Sequence, residues 1–150
     1  VEIEALVAPS TLASPRRNVG GWDGSRLAML TAVLEARCGV PLSGRDIFLN
    51  VAGGLKISET AADLAVAAAL ISSVSGRPAP PRSVFFGEVA LSAELRQVAQ
   101  ADARLKEAAK LGFDMAVMPK PRKKLGAPAG LSIAQPSTLA ELIEIMGGVT

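Results

Sequence analysis

From Ala61 to Ser75 the sequence runs A-A-D-L-A-V-A-A-A-L-I-S-S-V-S, helix-forming and apolar on nearly every side. A helix without a polar face gains nothing from solvent, so this one is expected to lie buried, covered all round. Just before it, Asp46 to Ala52 reads D-I-F-L-N-V-A, the pattern of a buried strand, and Gly53-Gly54 supplies a turn that needs permissive backbone. Ser58 or Thr60 is placed to cap the helix. Thr60 with Asp63 resembles a capping box with aspartate in the acidic place, and Gly76 marks the helix end.

The rest of the chain supplies the layers that such a helix needs. Val1 to Ala8 alternates as V-E-I-E-A-L-V-A, with Glu2 and Glu4 on one face, as in a half-buried strand. A second extended piece is expected from Thr11 to Val19. Asp23 is a plausible N-cap for a helix to about Cys38, with Leu27, Leu30, Ala32, Val33 and Leu34 as its apolar stripe and Gly39 as its stop. After the Pro-rich connection Arg77 to Arg82, strands are expected at Val84 to Leu91, Leu95 to Val98 and Met115 to Met118. Helices are expected at Ala101 to Leu111 and Ser137 to Met146, the latter with Thr138 and Glu141 as a second capping box. Strands and helices alternate throughout, which predicts one mixed α/β (α+β) domain over residues 1–150.

Composition narrows the chemistry. The 150 residues are 49% hydrophobic but only 3% aromatic, so Ala, Val, Leu and Ile must fill the core. Histidine is absent, which removes Ser-His-Asp and Cys-His mechanisms and leaves zinc without its usual nitrogen ligand. Cys38 is the single cysteine, so no internal disulfide forms; it is expected as a small core residue in a reducing, cytoplasmic setting. No metal site is expected in this chain. No apolar run is long enough to span a bilayer, and the N-terminus has no signal pattern. The opening in mid-strand at Val1, Ile3 and Ala5 suggests a piece of something longer.

A formal net charge of +2 is only mildly basic, so any contact with nucleic acid must come from local clusters. Ser14-Pro15-Arg16-Arg17 sets two guanidiniums on a loop or edge strand, where planar forks suit phosphate oxygens. Gly53-Gly54-Leu55-Lys56 puts a cation past a tight turn and before a helix start, a place favourable to anions. Arg26 lies near the start of another helix. These four, Arg16, Arg17, Arg26 and Lys56, are the first candidates for DNA contact. Lys120, Arg122, Lys123 and Lys124 form the densest basic run and stand in reserve; such a run also serves simply to keep a loop solvated. A phosphate-binding G-x-x-x-x-G-K-[ST] loop is absent, so the chain is not expected to hydrolyse ATP by itself.

Three segments carry a resemblance. F-L-N-V-A-G-G-L-K-I-S-E-T-A-A-D-L-A-V-A-A-A-L (Phe48 to Leu70), F-G-E-V-A-L-S-A-E-L-R (Phe86 to Arg96) and A-A-K-L-G-F-D-M-A-V-M-P-K (Ala108 to Lys120) resemble the C-terminal domain of the bacterial RadA, or Sms, family. More distantly they resemble the proteolytic domain of Lon. The S-P-R-R and D-G-S-R-L-A-M-L segments fit RadA better than Lon, so the resemblance covers nearly the whole chain. The archaeal recombinase also called RadA is a different protein.

The resemblance implies the Lon proteolytic-domain-like, ribosomal-protein-S5-domain-2-like fold. It also implies a position for the Ser-Lys dyad of Lon, in which a lysine takes the proton of a serine nucleophile. Aligned on Gly87-Glu88, the nucleophile position falls on Ala61 and the lysine position on Asp102. Both groups are missing, although Ser58, Thr60 and Lys106 stand nearby. In family members a zinc finger and a RecA-like ATPase precede this domain and form a hexameric ring that drives branch migration in recombinational repair. ATP, magnesium and zinc are therefore expected only in those other domains. The implied role is a scaffold for ring assembly and for contact with single-stranded or branched DNA, with a recombinase filament as a further partner. The rival readings are an active Ser-Lys peptidase and a purely structural oligomerisation module.

Overall fold

The structure, a computed structural model, describes residues 1–149. Strands β1 (Ile3–Pro9), β2 (Arg17–Gly20) and β3 (Arg45–Val51) form one sheet in the order β1-β3-β2, with β3 antiparallel to β1 and parallel to β2. A second, wholly parallel sheet is built from β4 (Ser83–Phe85), β7 (Met115–Val117) and β8 (Ser132–Ala134) in the order β4-β7-β8. Separately, β5 (Glu88–Val89) and β6 (Leu95–Arg96) make a short antiparallel pair. Four helices complete the α/β arrangement: α1 (Gly24–Cys38), α2 (Asp63–Ser75), α3 (Ala101–Lys110) and α4 (Leu139–Ile145).

Helix α2 is the hub that its sequence demands. Leu64, Val66, Ala67, Ala68, Leu70 and Ile71 are all buried, and the helix packs on β1, β4, β5, α1 and α4. Burying each of the large aliphatic side chains stabilises by roughly 1.5–3 kcal/mol before chain entropy is counted. Alternation in β1 and β3 sends Val7, Ile47, Leu49 and Val51 into the same core, while Glu2, Glu4 and Leu6 remain exposed. A smaller cluster of Phe86, Leu105, Ala108, Ala116, Met118 and Leu131 joins α3 to the parallel sheet.

Helix ends follow the local chemistry at α1 and α4, and Gly76 closes α2 as expected, at φ 72°. Asp23 caps α1, its carboxylate accepting from the Ser25 N–H at 2.9 Å, and Gly39 closes the helix at φ 68°, a left-handed turn that glycine adopts without strain. Thr138 caps α4 through the Glu141 N–H at 3.2 Å, while the Glu141 carboxylate accepts from the Ser137 N–H at 2.7 Å, one residue earlier than in a regular capping box.

Three expectations need correction, and one element was not expected. The extended piece over 11–19 shrinks to Arg17–Gly20, because only those residues find a ladder partner on β3. The strand expected over 84–91 is broken at Gly87 into β4 and β5, which belong to different sheets. Neither Ser58 nor Thr60 caps α2: a single 3-10 turn over Thr60–Ala62 leads into it, and the Leu64 N–H is satisfied by the Gly87 carbonyl at 3.1 Å. Strand β8 has no counterpart among the expected elements.

Candidate functional site

Where the resemblance implies a nucleophile, Ala61 is buried in the 3-10 turn before α2, its carbonyl accepting from the Gly87 N–H at 2.9 Å. A Cβ on Gly87 would meet the Pro119 ring at 2.8 Å, so the backbone at this point can approach closely only because glycine is there. Asp102, at the implied lysine position, is exposed in the first turn of α3 and pairs with Lys106 across 3.3 Å. The nearby Thr60 hydroxyl is engaged by the Glu88 carboxylate at 3.1 Å. Among the described residues no hydrogen bond joins a lysine amine to a hydroxyl.

An ion pair occupies the ground beside this turn. Asp63, fully buried at the start of α2, accepts from Arg26 Nε at 2.7 Å, from Arg26 Nη2 and from the Val89 N–H at 2.9 Å. The bidentate fork binds α1 to α2, and the third bond binds β5 to both. The Asp63 hydrogen bond raises the Arg26 pKa above its already high ordinary value, with Glu88 and Asp23 adding negative potential. Outside this pair, Arg104 reaches from α3 to Glu59 at 2.8 Å and lies over the Phe86 ring, 5.8 Å from its centroid.

The four first candidates for DNA contact are thus placed very differently. Arg26 is committed to Asp63 and has only 26% of its side chain exposed. Arg16 is clamped to the buried Asp46, at 3.2 and 2.9 Å, and stacks on Phe48 at 5.6 Å from the ring centroid. The Arg16 N–H, foremost, and its guanidinium hold the Asp46 carboxyl below its usual pKa. This clamp therefore contributes fully above the ordinary carboxylate range and weakens as pH falls through the depressed value. Arg17 is exposed next to it, donating to the Arg45 and Arg16 carbonyls, and among the described residues it joins no ion pair. Lys56 is exposed in the loop after the Gly53-Gly54 turn, which the Ile57 N–H ties to the Gly21 carbonyl at 2.8 Å; Thr60 and the 3-10 turn follow only four residues later. Lys120, Arg122, Lys123 and Lys124 lie on the connection from β7 to β8, and all four are exposed. Burial pushes the Cys38 thiol pKa up, which suits a packing residue.

Sequence reasoning passed over Arg96, Gln97, Glu59 and Arg104. None of them belongs to a run of like charge, and each meets its partner on another element. Among the described residues no helix is long and apolar enough to cross a membrane.

Comparison with known proteins gives this geometry its family. A family model described as subunit ChlI of Mg-chelatase matches residues 25–122. The DNA repair protein RadA of Brucella abortus is 54% identical over 143 residues, covering 95% of this chain and 31% of that protein. Its counterpart in Pseudomonas aeruginosa is 47% identical over 146 residues, 97% of this chain and 32% of that protein. In Rickettsia felis the protein of the same name is 51% identical over 120 residues, 80% of this chain and 27% of that protein. The chain spans about a third of the length of the curated relatives it matches. It therefore belongs to the family of the ChlI model and, by its similarity to those proteins, to the C-terminal region of bacterial DNA repair protein RadA.

Proposed function

We propose that the chain is a Lon proteolytic-domain-like module, of the ribosomal-protein-S5-domain-2 type, that serves a RadA-type repair ATPase without cleaving peptides. Its tasks are ring assembly and DNA contact. The observation that carries the reading is identity of 47–54% to proteins named DNA repair protein RadA over nearly the whole chain. The buried Ala61 methyl supports the non-proteolytic part, since a methyl cannot attack a carbonyl. ATP hydrolysis with magnesium, and the zinc finger, are assigned to other parts of the longer protein. The module works in the cytoplasm on single-stranded or branched DNA, within a homo-oligomeric ring, a hexamer by the family resemblance, and with a recombinase filament as a further partner.

Arg17 and Lys56 are assigned to phosphate contact, being exposed and, among the described residues, outside every ion pair. Arg16 serves that surface indirectly, because reversing its charge would set two carboxylates against each other at Asp46. Arg17→Glu with Lys56→Glu is expected to weaken binding of single-stranded DNA and to flatten its salt dependence by roughly 0.7 for each phosphate no longer neutralised. An unchanged slope in a fluorescence-anisotropy titration would remove these two residues from the interface. If the unaltered chain assembles by light scattering but binds no DNA at about 50 mM salt, where phosphate contacts are strongest, ring assembly is its only task.

A further inference from the structure

Two sheet edges border one groove. A cleft of about 630 Å³ is lined by Ile3 and Ala5 of β1, by Ser83 and Phe85 of β4, and by Ala65 and Ala69 of α2 as its floor. Strand β1 ends one sheet and β4 ends the other. In β1 the even residues bond to β3: on the register that sets Ile3 opposite Val51, the Ala52 N–H donates to the Glu2 carbonyl at 2.9 Å and the Ser10 N–H to the Gly44 carbonyl at 3.1 Å. The backbone N–H and C=O groups of Ile3 and Ala5 therefore point away from β3, toward the groove. In β4 the Phe86 N–H donates to the Val117 carbonyl and the Arg82 carbonyl accepts from Met115, which leaves the backbone groups of Ser83 and Phe85 on the groove side.

Val7 shows what such an edge seeks. Its N–H, the next on that side of β1, donates to Ser73 Oγ at 2.8 Å, whereas among the described residues the groove-side backbone of Ile3, Ala5, Ser83 and Phe85 makes no hydrogen bond. Donors and acceptors spaced at the strand repeat match a further extended backbone. The floor fits the same ligand, because Ala65 and Ala69 are half-buried, lie on one face of α2 and leave room for the alternate, apolar side chains of a strand. The charged lining residues are Glu2 and Arg82, and Arg82 is paired with Asp114, so no ionic ligand is favoured. A second copy cannot insert its own β1, because β3 already runs along that strand and the groove has a wall on each side.

We propose that the groove receives one extended strand from the part of a longer RadA-type protein that precedes Val1, paired antiparallel with β1 through Ile3 and Ala5 and lying against β4 on its other side. That assignment rests on the reading of the chain as one module of such a protein. The matched region is 31% of the Brucella abortus relative and 32% of the Pseudomonas aeruginosa one, so those proteins hold ample chain outside it. Val1 itself lines the groove, and a segment joined to it reaches the site after one reversal of direction, a short loop that costs little entropy to close. With that strand in place the two sheets close on a common member, and the module is held to the rest of the protein by backbone hydrogen bonds as well as by its covalent link.

The test is amide hydrogen exchange on the 150-residue chain and on the longer natural protein that carries it. In the longer protein the amides of Ile3, Ala5, Ser83 and Phe85 are expected to exchange at least about tenfold more slowly than in the chain alone, with the Leu6 amide, bonded to β3 in both, as the internal reference. Ala69→Leu, which fills the floor, is expected to leave the chain alone folded and to return the four amides of the longer protein to the fast rate. Ala5→Pro removes a groove-side donor and no bond to β3; it is expected to have the same effect on the other three amides, and it replaces the leucine variant if that one unfolds. Equal, fast exchange at the four amides in both unaltered proteins overturns the strand while leaving the module reading intact. Slow exchange that the longer protein loses on dilution, or that the chain alone gains on concentration, assigns the groove to another copy and overturns the strand's source. A natural protein that holds nothing ahead of Val1 overturns both the strand and the module reading.

Discussion

Arg26→Met is expected to lower the unfolding free energy by about 3–5 kcal/mol, because it strands a buried aspartate without its counter-charge. Asp63 is fully buried and takes two of its three hydrogen bonds from Arg26, so the single change leaves only the Val89 N–H to solvate the carboxylate. An exposed pair would be worth no more than about 1 kcal/mol, and the size of the loss therefore reads out how dry the site is. Adding Asp63→Asn to Arg26→Met removes the stranded charge while keeping an acceptor for Val89. That double variant is expected to regain more than half of the loss, as two-state urea unfolding at neutral pH would record. A loss below about 1 kcal/mol for Arg26→Met would mean that the pair behaves as a surface bridge and does not tie α1 to α2.

Gly21→Ala is the second large effect. Gly21 has φ 84°, and a Cβ there would stand 2.3 Å from the Leu55 carbonyl oxygen and 2.8 Å from Val51 Cβ. Strain at positive φ and overpacking against backbone each cost on the order of 1–3 kcal/mol, so a total of about 3 kcal/mol is expected. The same residue accepts the Ile57 N–H at 2.8 Å, so the change also loosens the loop that carries Lys56. Gly24→Ala is the control: nothing lies within 4 Å of its Cβ position, at the first residue of α1, and the expected effect is neutral to about 1 kcal/mol stabilising. Equal midpoints for the two variants would show that the close approach at Gly21 constrains nothing.

What was legible in the sequence was local. Asp23 and Gly39 bound α1 because a cap and a left-handed stop act within one turn, and α2 announced its burial because no polar stripe interrupts it. Strand β8 escaped because Ser132–Ala134 is three residues long and shows no alternation worth reading. Asp63 reads as a capping-box acid, yet its partner Arg26 lies 37 residues away. Likewise Arg16 reads as a free phosphate fork, while Asp46, 30 residues on, holds it. Short-range patterns name the elements; which charges remain uncancelled is decided only when distant elements meet.

Under the proposed reading, a scaffold without peptidase chemistry still needs the packing around Ala61. The turn that positions Ala61 is held by Gly87 and by the Arg26–Asp63 pair, which join α1, α2 and β5 whether or not a nucleophile is present. On that reading, loss of the dyad would remove chemistry without removing a structural tie, which leaves the fold available for the proposed assembly and binding. The most direct measurement is a casein-cleavage assay on the 150-residue chain, with Ser58→Ala and Thr60→Ala variants alongside. No turnover above background is predicted for any of the three; cleavage by the unaltered chain that either substitution abolishes would contradict the account.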